Sequence, residues 1–334
     1  NSLQAVGVKA LVALYVGPAY MNAPAHPKNI NLTTEVVKAV KDHPAVFGYS
    51  VMDEPYFHGV EETDELLLES YKLIRDIDEV HPTYIVEFTG SCYSRAGKVS
   101  DILAIDPYPY SADSAKVTDT TKQALEAVRY KKPVYSILQT YQANGWFPTV
   151  DNVREQVYRT LEEGAKGIGY FTIDKVLELA SDSKALYETD RWEPMKTFSN
   201  FELKESLDYY TLRKYPTFNK YNEGHKYGFY YESWVKNNDI YMVVHNRSNS
   251  DISMSVPLTS TNGSIVVNGY RAWAVSKSNK LSSSSGNTLS VSLARQEVIF
   301  YKITPNTPIN PELLSGFTPL KTKDGGLKAF SSVP

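Results

Sequence analysis

Through the first half of this 334-residue chain, apolar runs of strand length alternate with helical patterns. The spacing predicts strands at 8–16, 46–53, 84–89, 102–106, 133–139 and 167–173. Between them it predicts helices: one capped by Thr33 or Thr34 and running through Val40, one from Asp64 to about Val80, one from Thr120 to Tyr130 and one from Asp151 to about Gly164. Leu66, Leu67, Leu73 and Ile74 recur at helical spacing in the second of these, and His81-Pro82 stops it. Strands that alternate with helices form βαβ units on a parallel sheet. A closed barrel of such units needs eight strands, and six are read here.

Two of the runs end in acids followed by proline. Val46-Phe-Gly-Tyr-Ser-Val-Met-Asp-Glu-Pro55 stops at Pro55, which cannot donate to a ladder. Ile102-Leu-Ala-Ile-Asp-Pro107 repeats the pattern. Asp53, Glu54 and Asp106 are thereby placed at the carboxyl ends of buried strands, the end that carries chemistry in parallel α/β architectures.

After about residue 225 the pattern changes. Short alternating strands are predicted at 228–234, 239–244, 252–258, 264–267, 272–275, 288–293 and 297–303, separated by Asn, Gly and Ser turns, with Ser282–Asn287 as a surface loop. This is the pattern of an antiparallel β-sandwich. A helix over 191–210 precedes it. The expected organisation is an α/β barrel region at 1–210, a connection at 211–226, a sandwich at 227–304 and an extended tail at 305–334.

Several function classes are set aside. A net charge of −3 argues against a nucleic-acid binder. No apolar run approaches the ~20 residues that span a bilayer. The six histidines show no zinc-ligand spacing, and neither a nucleophile elbow nor a phosphate loop is present, so no metal and no cofactor is called for. Gly164-Ala-Lys-Gly-Ile-Gly169 precedes a strand rather than opening a helix, which excludes a dinucleotide fingerprint. The single cysteine, Cys92, cannot form an internal disulfide. Sequons at Asn31, Asn246 and Asn262, with a chain that starts at Asn1 without a leader, point to a secreted glycoprotein, processed or recorded as a piece.

Five local patterns, in order, resemble the clan A glycoside hydrolases, which have a (β/α)8 TIM-like barrel followed by a small β-sandwich. His43-Pro-Ala-Val-Phe-Gly-Tyr-Ser-Val-Met-Asp-Glu-Pro55 resembles the fourth barrel strand. Asp101-Ile-Leu-Ala-Ile-Asp-Pro-Tyr-Pro109 resembles the sixth, Lys132-Pro-Val-Tyr-Ser-Ile-Leu-Gln-Thr-Tyr141 the seventh and Glu163-Gly-Ala-Lys-Gly-Ile-Gly-Tyr-Phe171 the eighth. The stretch from Trp234 through Val243-Val-His-Asn246 to Val298-Ile-Phe300 resembles the accessory sandwich. The resemblance covers roughly residues 5 to 303 and makes the run at 8–16 the third strand, so that another chain or segment would complete the barrel.

The resemblance implies carbohydrate as the ligand and Glu54 as general acid/base. The family's nucleophile position falls on Gln139, whose amide cannot act as that nucleophile. A second carboxylate would come from Asp106, Glu87, Asp174 or the segment outside the six strands. Asp53 is read as bonding neighbouring strand ends. Tyr56, Phe57, Tyr108, Tyr110, Tyr141, Trp146 and Phe147 all follow strand ends; each alone would pack the rim, and as a set beside acids they suit a sugar cleft. Two readings stay open: a glycosidase acting through Glu54 and Asp106, and an inactive glycan-binding or structural protein on the same fold.

Overall fold

In a computed structural model the described residues are 2–14, 30–56, 63–143, 145–173, 185–222, 228–274, 281–310 and 313–314. Phe57, Asp174 and the tail expected after 314 lie outside them, as does the side chain of Asn31. The described residues fall into two compact units, one holding 2–143 and 159–173, the other 145–158 and everything from 185 onward.

The first unit is a partial (β/α)8-type barrel. Six parallel strands stand in sequence order: β1 (Ala10–Ala13), β2 (Val46–Asp53), β3 (Thr83–Glu87), β4 (Ile102–Ile105), β5 (Val134–Gln139) and β6 (Gly167–Phe171). They curl through 231°. The helices are α1 (Ser2–Ala5), α2 (Ile30–Val40), α3 (Thr63–Ile77), α4 (Tyr93–Ala96), α5 (Ala115–Ala127) and α6 (Val150–Glu163), whose residues 150–158 belong to the second unit. α5 starts five residues before the expected Thr120, since Ala115, Val117 and Thr118 are all buried and extend its inward face.

Parallel strands are covered on both faces, which is why they read as continuous apolar runs. Alternation sorts their side chains into two clusters. Ile85, Leu103 and Ile105 join Val37, Leu67 and Ile74 from the helices. Tyr84, Val86, Ile102 and Ala104 form the other cluster, with Phe47, Tyr135 and Ile137 against it. The period of two then puts Asp106 in phase with Ile102 and Ala104, and Gln139 in phase with Tyr135 and Ile137. Gly48 allows a close approach in β2: a Cβ there would lie 2.4 Å from the Pro82 carbonyl oxygen, which instead accepts the Tyr49 amide at 2.9 Å.

The second unit is an antiparallel sandwich. One sheet runs β12-β11-β14-β9-β8-β7 and the other pairs β10 with β13. The strands are β7 (Thr217–Asn222), β8 (Phe229–Lys236), β9 (Asp239–Asn246), β10 (Ile252–Pro257), β11 (Tyr270–Ala274), β12 (Leu281–Ser284), β13 (Thr288–Leu293) and β14 (Val298–Pro305). Ile240, Met242 and Val244 from the first sheet share a core with Val256, Leu289 and Val291 from the second. Asn237 and Asn238 turn β8 into β9 at φ of 53° and 67°, the left-handed pair that a tight hairpin demands.

Three local expectations are corrected. Residues 264–267 make no strand, only a bridge from Val266 to Thr259. Ser282–Asn287 is not wholly loop, because its first three residues belong to β12 and pair with β11. β7 lies inside the stretch expected as connection; Phe218 carries it into the core, but its other side chains are mostly polar and hide the alternation. The helix over 191–210 is a composite of α7 (Trp192–Thr197), a π turn (Phe198–Glu202) and α8 (Leu203–Tyr210).

Candidate functional site

The carboxyl ends of β2 to β6 bring together most of the residues singled out in the sequence. Asp53 closes β2 and pairs in register with Val86. Glu54 follows at φ 45°, its amide donating to the Val86 carbonyl at 2.9 Å. A left-handed conformation costs a non-glycine residue roughly 1–2 kcal/mol, and such strain concentrates where a side chain must be aimed.

Asp106, just past β4, is buried, and its carboxyl is hydrogen-bonded to that of Glu54. Two carboxyl groups can share a hydrogen bond only if one carries a proton. Burial, then the Glu54 carboxyl, then the charge of Asp53 hold the Asp106 proton far above the ordinary carboxylate range. Its Oδ1 has no hydrogen-bond partner among the described residues. Asp106 therefore keeps its proton where an exposed carboxyl has lost it, in contact with the Glu54 carboxyl.

Gln139, wholly buried, is bonded through both ends of its amide. Its Oε1 accepts the Tyr110 amide at 3.0 Å and its Nε2 donates to the Tyr141 carbonyl at 3.2 Å. It thus ties the loop after β4 to the loop after β5. Tyr110 holds φ 54°, and its hydroxyl accepts from that of Tyr141 at 3.3 Å. Tyr108 lies edge-on to Tyr141 at 5.4 Å and stacks with Phe171 at 6.2 Å between ring centres. Burial raises the hydroxyl pKa of both Tyr108 and Tyr141, with the carboxyl charges adding to it.

Other predicted residues have different duties. Glu87 is buried beneath the loops after β2 and β3, accepting the Thr89 amide at 2.6 Å and the Tyr56 amide at 3.3 Å. Burial raises its pKa and these amides oppose the rise. It organises loops. Tyr56 gives its hydroxyl to Asp64 at 2.6 Å, and the Arg95 guanidinium covers its ring at 4.2 Å. Trp146 and Phe147 belong to the second unit. Asn246 is fully buried, its amide donating to the Ser250 and Ala294 carbonyls at 2.8 Å each, so that sequon is closed off in the folded chain. Asn262 is exposed, with its amide donating to the Leu313 carbonyl.

Two participants were not singled out. Phe171, 42% exposed at the end of β6, supplies a ring face; its strand-end position was the available signal. Lys116, in α5, donates to the Tyr108 carbonyl at 2.9 Å and lies over the Phe88 and Tyr110 rings. Burial lowers its pKa and Asp106 pulls it back up. A lysine on a helix carries no signal of that contact. Among the described residues no group of three or more His, Cys, Asp or Glu is placed to hold a metal ion, and no helix is long and apolar enough to cross a membrane.

Alpha-galactosidase I from Mortierella vinacea superposes with a TM-score of 0.58 at 11% identity, over 92% of this chain and 79% of that one. An Anoxybacillus alpha-amylase gives 0.56 at 10% identity, over 90% and 71%. A GH27 β-L-arabinopyranosidase from Geobacillus stearothermophilus gives 0.53 at 11%, over 84% and 62%. The likeness to these proteins is one of fold, a partial (β/α)8-type barrel followed by an antiparallel sheet. No family model matches the sequence, and no curated protein matches it.

Proposed function

We propose that the chain acts on an oligo- or polysaccharide at the ends of β2 to β6, with Glu54 and Asp106 as its acid/base pair. The observation that carries this is the hydrogen-bonded carboxyl pair, one member buried, beside Tyr108, Tyr141 and Phe171. Glycosidic hydrolysis needs one protonated and one ionised carboxyl group. The raised Asp106 carboxyl supports the protonated half of that requirement. In direct contact the two groups leave no room between them for a substrate, so an entering sugar parts them. As the sugar enters, the Asp106 proton passes to Glu54, the more exposed member, which gives it to the glycosidic oxygen as the C–O bond breaks. Water gives its hydroxyl to the sugar carbon and its remaining proton to the pair. A secreted setting belongs to the same reading.

Gln139 favours a second reading, a non-catalytic glycan binder. Its amide is spent on two loop backbones, which leaves the rim shaped for binding without a carboxylate at that strand end. The discriminating measurement compares wild type, Glu54→Gln and Asp106→Asn on nitrophenyl α- and β-glycosides of glucose, galactose, xylose and arabinose. A loss of roughly 10²–10⁴-fold in each variant is expected for an acid/base pair. Equal background rates in all three proteins overturn the catalytic reading and leave binding.

The six strands turn by about 46° per step, close to the 45° of an eight-stranded closure, so a segment of two strands joining β1 to β6 is part of the proposal. In the chain alone, the outward-facing amides of β1 and β6 are expected to exchange hydrogen far faster than those of β2 to β5. Equal protection would show that these edges are already paired.

A further inference from the structure

We infer that the second unit carries a separate binding cleft for a neutral oligosaccharide, independent of the Glu54 pair. Two adjoining cavities of about 780 and 760 Å³ share Thr149, Asp151, Arg154, Phe201 and Glu202 as common wall. They form one groove bounded by the first turns of α6, the composite helix and the turn between β13 and β14.

The wall sets paired charged groups among apolar surface. Arg154 sits between two carboxylates: its Nε reaches both oxygens of Glu202 at 2.9 and 3.1 Å, and its guanidinium also pairs with Asp151. Tyr158 donates to the same Glu202 at 2.8 Å, and the Phe198 ring lies under the guanidinium at 5.3 Å. Further along, Arg191 rests on Phe147 at 3.9 Å and pairs with Asp190 at 3.6 Å. These contacts fix planar charged groups whose spare edges can bond vicinal hydroxyls.

At the middle of the groove stands Phe201, 67% exposed. It lies in the π turn, which interrupts α-helical phasing and turns it out of the packed face that holds Phe198 and Leu203. π turns recur at functional positions. An exposed ring flanked by fixed polar groups suits a sugar, which offers a C–H face to the ring and hydroxyls to the flanks. Acidic side chains outnumber arginines along the wall, which disfavours nucleic acid and other polyanions, and Arg154 and Arg191 are already paired with carboxylates.

The test is native electrophoresis of the whole chain in gels containing soluble starch, galactomannan, arabinoxylan or mixed-linkage β-glucan, with dissociation constants from the retardation. At least one polysaccharide is expected to retard the protein. Phe201→Ala should weaken that binding roughly fivefold to tenfold, in line with the loss of one stacked ring. Phe201→Trp should restore it. Phe201 is exposed, so an unchanged urea midpoint is expected to confirm that the alanine variant folds. Absence of retardation in all four gels, or Phe201→Ala binding as tightly as wild type, overturns the inference. Loss of retardation in Glu54→Gln with none in Phe201→Ala would place the binding at the strand ends instead.

Discussion

Asp106→Asn is expected to make the protein more stable, and increasingly so as pH rises. The folded chain keeps a proton on the buried Asp106 carboxyl that the unfolded chain releases in the ordinary carboxylate range. Above that range the native state binds more protons than the unfolded state, so wild-type stability falls by up to about 1.4 kcal/mol per pH unit from this group alone. Asparagine does not titrate. Its Nδ2 can donate to Glu54 as the acid did, so the contact survives while the pH penalty disappears. The stability difference between variant and wild type should therefore grow by up to about 4 kcal/mol between pH 5 and pH 8. Urea unfolding at three pH values measures it, and a difference independent of pH would show that no proton is trapped. Under the catalytic reading the same variant loses hydrolysis, the usual exchange of stability against function at a site.

The second large effect is expected at Gln139. In Gln139→Glu one carboxylate oxygen can still accept the Tyr110 amide, but the other faces the Tyr141 carbonyl, and two acceptors repel. The position is wholly buried, so the charge has no solvent to turn to. The variant should lose about 3 kcal/mol at pH 8. At pH 4 the protonated acid can donate to Tyr141, and the loss should fall below about 1 kcal/mol. The sign follows from burial, which raises the folded pKa and so makes the deficit grow with pH. Unfolding at the two pH values, with hydrolysis assays alongside, is the measurement. A variant as stable as wild type at pH 8 that also gains turnover would mark Gln139 as the seat of a lost nucleophile rather than a loop tie.

Much of the fold was legible because its strands are local patterns. The six parallel strands are continuous apolar runs bounded by Gly and Pro, and all six were placed from the sequence with only their ends shifted. β7 was not, because a strand with mainly polar side chains has no alternation to read. The π turn was missed for a related reason: the apolar pattern over 191–210 is helical on average, and the one-residue slip at 198–202 leaves no compositional mark.

At the site, residue types and strand ends sufficed to single out Asp53, Glu54, Asp106 and the tyrosines. The sequence could not say that Glu87 faces two backbone amides, that Arg95 covers Tyr56, or that Asn246 is sealed inside the sandwich. Those depend on which side chains meet across loops tens of residues apart.

By itself, then, the sequence determined the order of the elements and the strand-end placement of Glu54, Asp106 and Gln139, since hydrophobic period and proline act over a few residues. Only the tertiary structure decided what those three do. Burial and the neighbouring Glu54 carboxyl keep the Asp106 proton in place, and Gln139 holds two loops because both ends of its amide find backbone partners.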